Sequence, residues 1–142
     1  MRAIEILVEY ARLRKKIRLL DAQIEAKRER AEALSGWSEG DKVQTTHEPD
    51  KIGRAVAELA DKEAELWDME LDAIDRMEEI EALLRQLRNP DHALVLEYRY
   101  IRGMKWSEVA ETMHYSVEWV QKLKRKAIKE LDRRLKNDRS GI

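Results

Sequence analysis

Nine positions from Ile6 to Leu34 recur at alternating intervals of four and three residues: Ile6, Tyr10, Leu13, Ile17, Leu20, Ile24, Lys27, Ala31 and Leu34. Only Lys27 among them is strongly polar. This spacing draws one apolar stripe along a helix, the seam of a coiled-coil-like packing. A second stripe follows the same rule through Ile52, Val56, Leu59, Leu66, Ala73, Met77, Ile80, Leu84 and Leu87, interrupted by Glu63 and Glu70. Trp67, Leu71 and Ile74 lie beside it and widen it beyond a two-stranded zipper. The 142 residues include only 5 Gly and 2 Pro, too few turn formers for a strand-rich fold. The expected fold is therefore all-α: a long, coiled-coil-like antiparallel helical hairpin over residues 1–88, then a compact helical domain over residues 89–142.

Between the stripes, Ser35-Gly36-Trp37-Ser38-Glu39-Gly40-Asp41 breaks the pattern, and the chain stays polar through Thr45, Thr46 and His47 to Pro49. This reads as an interhelical loop longer than usual, with Trp37 folding back over the helix end. The second helix is expected to start near Pro49 or Asp50 and to run unbroken to Arg88. Two helices cannot cover both stripes. The hairpin is accordingly expected to form a homodimer or to dock on the C-terminal half.

The absence of Cys removes disulfides, thiolate nucleophiles and sulfur-bound zinc. His47, His92 and His114 are far apart in sequence, and neither a Gly-rich phosphate loop nor a nucleophile with a nearby base is present. No enzyme activity, metal or cofactor is expected. The acidic runs Asp61–Glu70 and Glu78–Glu81 read as solvated helix faces. No apolar run reaches the roughly 20 residues of a membrane span, and charges interrupt the apolar N-terminal stretch. A cytoplasmic location away from membranes is expected. The formal net charge of −1 conceals a division: residues 1–84 carry 14 Lys+Arg and 21 Asp+Glu, whereas residues 85–142 carry 14 and 8. A basic second part suits a polyanionic partner.

That second part opens with Asn89-Pro90-Asp91, a helix start with a capping side chain, a proline at the first position and an acid near the positive helix end. About three turns should follow, packing through Ala93, Leu94, Leu96, Tyr98, Tyr100 and Ile101 and ending at Gly103. The stretch from Trp106 to Leu135 then has the order of a helix-turn-helix. Val109, Met113, Tyr115, Val120 and Leu123 would form the apolar crossing, with Ala110 as the small residue and His114 in the turn. Ser116 is placed to cap the following helix. That helix would direct Val120, Leu123 and Ala127 inward and present Val117, Glu118, Gln121, Lys122 and Arg125. Glutamine can pair with adenine, lysine and arginine with guanine or phosphate, glutamate with cytosine, and valine can touch a thymine methyl. Lys124, Lys126, Lys129, Arg133 and Arg134, with Arg99, Arg102 and Lys105 ahead of the unit, would face phosphates. Double-stranded DNA is the expected partner.

The run LVLEYRYIRGMKWSEVAETMHYSVEWVQKLKRKAIKEL, Leu94 to Leu131, resembles sigma region 4, the promoter-reading part of bacterial sigma factors. It is similar also to the phage-encoded sigma-like regulators of the ArpU and RinA type, in which a helical N-terminal region precedes such a unit. The resemblance rests on the RYIRG turn, the WSEVA helix start, the Tyr115-Ser116 turn and the KAIKEL close. It implies a three-helix sigma region 4-like domain with base contacts at Val117, Glu118, Gln121 and Lys122 and a backbone contact at Trp119 or Arg125. Sigma domains commonly carry Arg at the positions of Val117, Trp119 and Gln121, so a target other than the usual promoter element is implied. Nothing resembles the aromatic-rich sigma segment that melts promoters. The expected function is therefore a phage or prophage transcriptional regulator whose acidic hairpin dimerises or contacts RNA polymerase. A DNA-packaging accessory of the small-terminase kind and a protein-binding helical scaffold are the alternatives.

Overall fold

The computed structural model describes residues 2–37 and 48–140, with side chains over 2–33 and 50–137. Five α-helices follow one another: α1 (Ala3–Trp37), α2 (Glu48–Leu84), α3 (Pro90–Leu96), α4 (Trp106–Met113) and α5 (Val117–Ser140). A π-helical turn, Glu97–Ile101, continues α3. No strand occurs among the described residues, so the chain is all-α as its breaker-poor composition implies. Helix α1 does not break at Ser35 but continues through Gly36 to Trp37. Glycine is tolerated at a helix C-terminus, where the intrahelical bonds are already running out. The expected loop at residues 38–47 and the folding back of the Trp37 side chain lie outside the described residues.

The contacts group the chain into two compact units, residues 14–72 and residues 1–13 with 73–142. This division falls within the two long helices rather than at the expected 88/89 boundary. In the first unit the α1 and α2 segments run antiparallel, with Ile17, Leu20 and Ile24 buried. Lys27 and Glu63, one polar interruption of each stripe, are answered across the pair. Lys27 meets Glu58 at 3.3 Å, and Arg28 meets Glu63 at 3.0 Å. Both pairs are open to solvent, where screening and side-chain freedom leave little net stabilisation. Val56, expected in the seam, is instead exposed, as are Leu19, Trp67 and Leu71.

In the second unit the start of α1 buries Ala3, Leu7 and Tyr10. Leu7 rather than Ile6 is therefore the buried residue of its turn, because the stripe enters through Ala3 and keeps the four-three rhythm from there. The end of α2 runs antiparallel to it: Tyr10 donates its hydroxyl to Met77 Sδ at 3.3 Å, and Arg76 pairs with Glu9 at 3.2 Å. Ala73, Ile80, Leu83 and Leu87 are buried, and Ile74 is exposed. Helix α2 ends at Leu84, short of the expected Arg88. Gln86 and Leu87 donate their N–H groups to Leu83 and Leu84, tightening the chain so that Leu87 still turns inward. The remaining core joins α3, α4 and α5 through Val95, Leu96, Val109, Val120, Ala127 and Leu131. Fully burying each large apolar side chain contributes about 1.5–3 kcal/mol, and this set packs α5 against α3 and α4.

Candidate nucleic-acid interface

Asn89 starts α3 by accepting the Asp91 N–H on its Oδ1 at 2.9 Å, with Pro90 in the first turn. Val95, absent from the expected packing face, is buried with Leu96 and Tyr100. The helix widens into its π turn, where Arg102 N–H reaches back to the Glu97 carbonyl at 3.0 Å. Gly103 then takes φ +68°, a left-handed conformation that costs glycine little. It reverses the chain so that Met104 N–H bonds the Tyr98 carbonyl at 3.0 Å.

The same connection is pinned by Arg99. Its Nη1 donates to the Met104 carbonyl at 2.9 Å, and its guanidinium lies 4.9 Å from the Trp106 ring centroid. Lys124 Nζ approaches the same ring at 5.7 Å, joining α5 to the start of α4, and Arg102 lies 5.5 Å from the Tyr98 ring. Arg99 therefore holds the connection together. Trp106 as a hub for two cations was not anticipated. The alternation of basic and aromatic residues in YRYIRGMKW is the signal that could have shown it.

His114 closes α4 in the left-handed region, at φ 61° and ψ 40°. Its N–H bonds the Glu111 carbonyl at 3.3 Å while the Tyr115 N–H bonds the Ala110 carbonyl at 3.0 Å, the paired bonds of a Schellman ending. Ser116 Oγ accepts the Trp119 N–H at 3.1 Å and so caps α5. Ala110 and Val109 are buried where α4 crosses α5, with Met113 half-buried. Tyr115 is not part of that crossing. It is 39% exposed, because its hydroxyl turns outward to donate to Asp91 Oδ2 at 2.6 Å. That bond, together with the Asp91 charge, raises the Tyr115 pKa above the ordinary phenol value.

With Val120, Leu123, Ala127 and Leu131 buried, 3.6 residues per turn places Glu118, Lys122, Arg125 and Lys129 on the opposite face, and all four are exposed. No ion pair among the described residues engages Lys122, Arg125, Lys126, Lys129 or Arg133. The result is a row of unneutralised cations on a rigid helix. Residues 83–133 match the family model of Sigma-70, region 4. The match covers about a third of the chain and takes in the end of α2, all of α3 and α4, and most of α5. Neither a curated protein nor a solved structure gives a match. The region 4 stretch is a DNA-binding helix-turn-helix, and α5 is its second helix.

Each residue expected at the interface of this region 4 domain has a definite place. Val117, Glu118, Trp119, Lys122, Arg125, Lys126, Lys129 and Arg133 are exposed on α5, whereas Gln121 and Lys124 are half-buried on one flank. Trp119 occupies the other flank, its ring 6.2 Å from that of Tyr115 and 5.4 Å from Lys122 Nζ. Arg102 and Lys105 are exposed on the connection before α4, where the Lys105 N–H donates to Glu108 Oε1 at 3.3 Å. Arg134 departs from expectation, since it is drawn to Glu130 at 3.5 Å and so is partly neutralised within its own helix. Among the described residues no cluster of three or more His, Cys, Asp or Glu could hold a metal ion, and no helix is long and apolar enough to cross a membrane.

Proposed function

We propose that this chain is a sequence-specific, double-stranded-DNA-binding transcriptional regulator of phage or prophage origin that inserts α5 into the major groove. The observation that carries the reading is the exposed face of α5, where Lys122, Arg125 and Lys129 stand together with no ion pair among the described residues, opposite a buried apolar stripe. Glu118, Lys122, Val117 and Gln121 occupy the first turns, where an inserted helix meets base edges. Trp119, Lys124, Arg125, Lys126, Lys129 and Arg133, with Arg102 and Lys105, are the proposed backbone contacts. The exposed Leu19, Trp67 and Leu71 in the unit of residues 14–72 support self-association through the N-terminal helices. A homodimer would hold two recognition helices at a fixed half-site spacing. RNA polymerase is the proposed protein partner, and the cytoplasm the proposed location.

Selection of bound duplexes from a random pool by the whole chain tests this reading. A single enriched motif, bound with an affinity that falls by about 0.9 logarithmic units per logarithmic unit of salt for each phosphate neutralised, is the expected result. Binding that ignores salt, or no enrichment, overturns it. Sedimentation at high micromolar concentration should show the dimer, and transcription from the selected site in the presence of polymerase reads the sign of regulation.

A further inference from the structure

Val117 opens α5 with 45% of its surface exposed, next to Glu118 and one turn before Gln121. The domain core is made without it, by Val109, Val120 and Leu123. An apolar side chain at the entry of a groove-inserted helix has one large apolar counterpart on the major-groove edges, the thymine C5-methyl. Valine suits that counterpart physically. Its branched Cβ restricts χ1 even at the start of a helix, so little side-chain freedom is lost on contact. Gln121 lies on the same flank, and no hydrogen bond among the described residues engages its amide. A glutamine amide matches the N6 and N7 groups of adenine. One helical turn rises about 5.4 Å, comparable with about two base-pair steps of DNA, so both side chains can fall within one short run of pairs. Both therefore favour A·T.

We infer that Val117 reads a thymine C5-methyl, so that recognition by this chain depends on a methyl group rather than on hydrogen bonding alone. The inference rests on the DNA-binding reading above and adds the chemistry of one contact to it.

The test takes the tightest duplex selected from a random pool and compares it with the same duplex containing uracil in place of thymine. Uracil keeps every hydrogen-bonding group and lacks only the methyl. Wild-type protein should bind the uracil duplex about fourfold more weakly for one methyl removed from water. Val117→Ala should bind the thymine duplex as weakly as wild type binds the uracil duplex, and should not distinguish the two. Alanine favours helix at this exposed position, and circular dichroism confirms that the variant is folded. Equal wild-type binding to both duplexes overturns the inference while leaving DNA recognition standing. Discrimination that survives in Val117→Ala also overturns it, since the methyl is then read elsewhere. Failure to bind any duplex removes the DNA-binding reading and the inference with it.

Discussion

The Asp132 carboxylate accepts the backbone N–H of Ala3 at 2.7 Å, so a side chain of α5 caps the first turn of α1 from 129 residues away. The first N–H groups of a helix have no partner within it, and negative charge is favoured at that end. Removing the acceptor from this partly buried pair should cost about 1 kcal/mol, the usual loss for a helix cap. Asp132→Ala should lower the thermal midpoint accordingly. Asp132→Asn, which keeps an accepting oxygen but loses the charge, should fall between the alanine variant and the wild type.

The bond from Tyr115 to Asp91 gives a spectroscopic prediction. Its acceptor is a carboxylate, and both the hydrogen bond and the charge hold the phenol in its neutral form, so its pKa is raised. A raised folded-state pKa means that the stabilisation is complete below the ordinary tyrosine value of about 10 and is lost as pH climbs through the raised value. Ultraviolet titration should show Tyr115 ionising late, and Asp91→Asn should bring it back toward the ordinary value. Tyr100, raised by burial, should stay late in that variant and serves as the internal reference.

His114 is the non-glycine residue with positive φ among those described. A side chain in the left-handed region costs roughly 1–2 kcal/mol, part of which is offset because glycine loses more freedom on folding. His114→Gly should therefore stabilise the domain by up to about 1 kcal/mol in urea unfolding. His114→Val should destabilise it, because a β-branched residue tolerates that conformation least.

The local signals were legible in the sequence, and the long-range ones were not. Asn89 and Ser116 cap α3 and α5 as their types and positions suggest, because capping acts within three residues. Val120, Leu123 and Ala127 are buried because a period of 3.6 fixes which face a stripe occupies. Tyr115 looked like a core residue by spacing, yet its position depends on Asp91, 24 residues earlier, and no periodicity encodes such a partner. The exchange of Ile6 for Leu7 has the same origin. Both are apolar, and the buried one shares its face with Ala3, whose N–H is held by Asp132 of α5, 129 residues away. Arg99 read as a free cation because its charge is visible in the sequence, whereas its contacts with the Met104 carbonyl and the Trp106 ring depend on the π turn.

Reading and clamping should separate along α5. Gln121 and Lys122 lie in its first turns, and Lys129 and Arg133 lie two to three turns further on, exposed and without ion-pair partners among the described residues. In the proposed docking, a helix whose start sits among the bases leaves the groove as it continues, so the later pair would meet phosphate. Gln121→Ala with Lys122→Ala should relax sequence preference, the removal of each base-edge interaction costing about 1–3 kcal/mol at particular positions. Lys129→Ala with Arg133→Ala should weaken selected and scrambled duplexes alike and reduce the salt slope by about 0.9 for each phosphate that is no longer neutralised. Binding of both double variants and the wild type to both duplexes at two salt concentrations provides the comparison. If the inner pair weakens selected and scrambled duplexes equally, α5 lies across the backbone rather than in the groove, and Val117 loses its access to thymine as well.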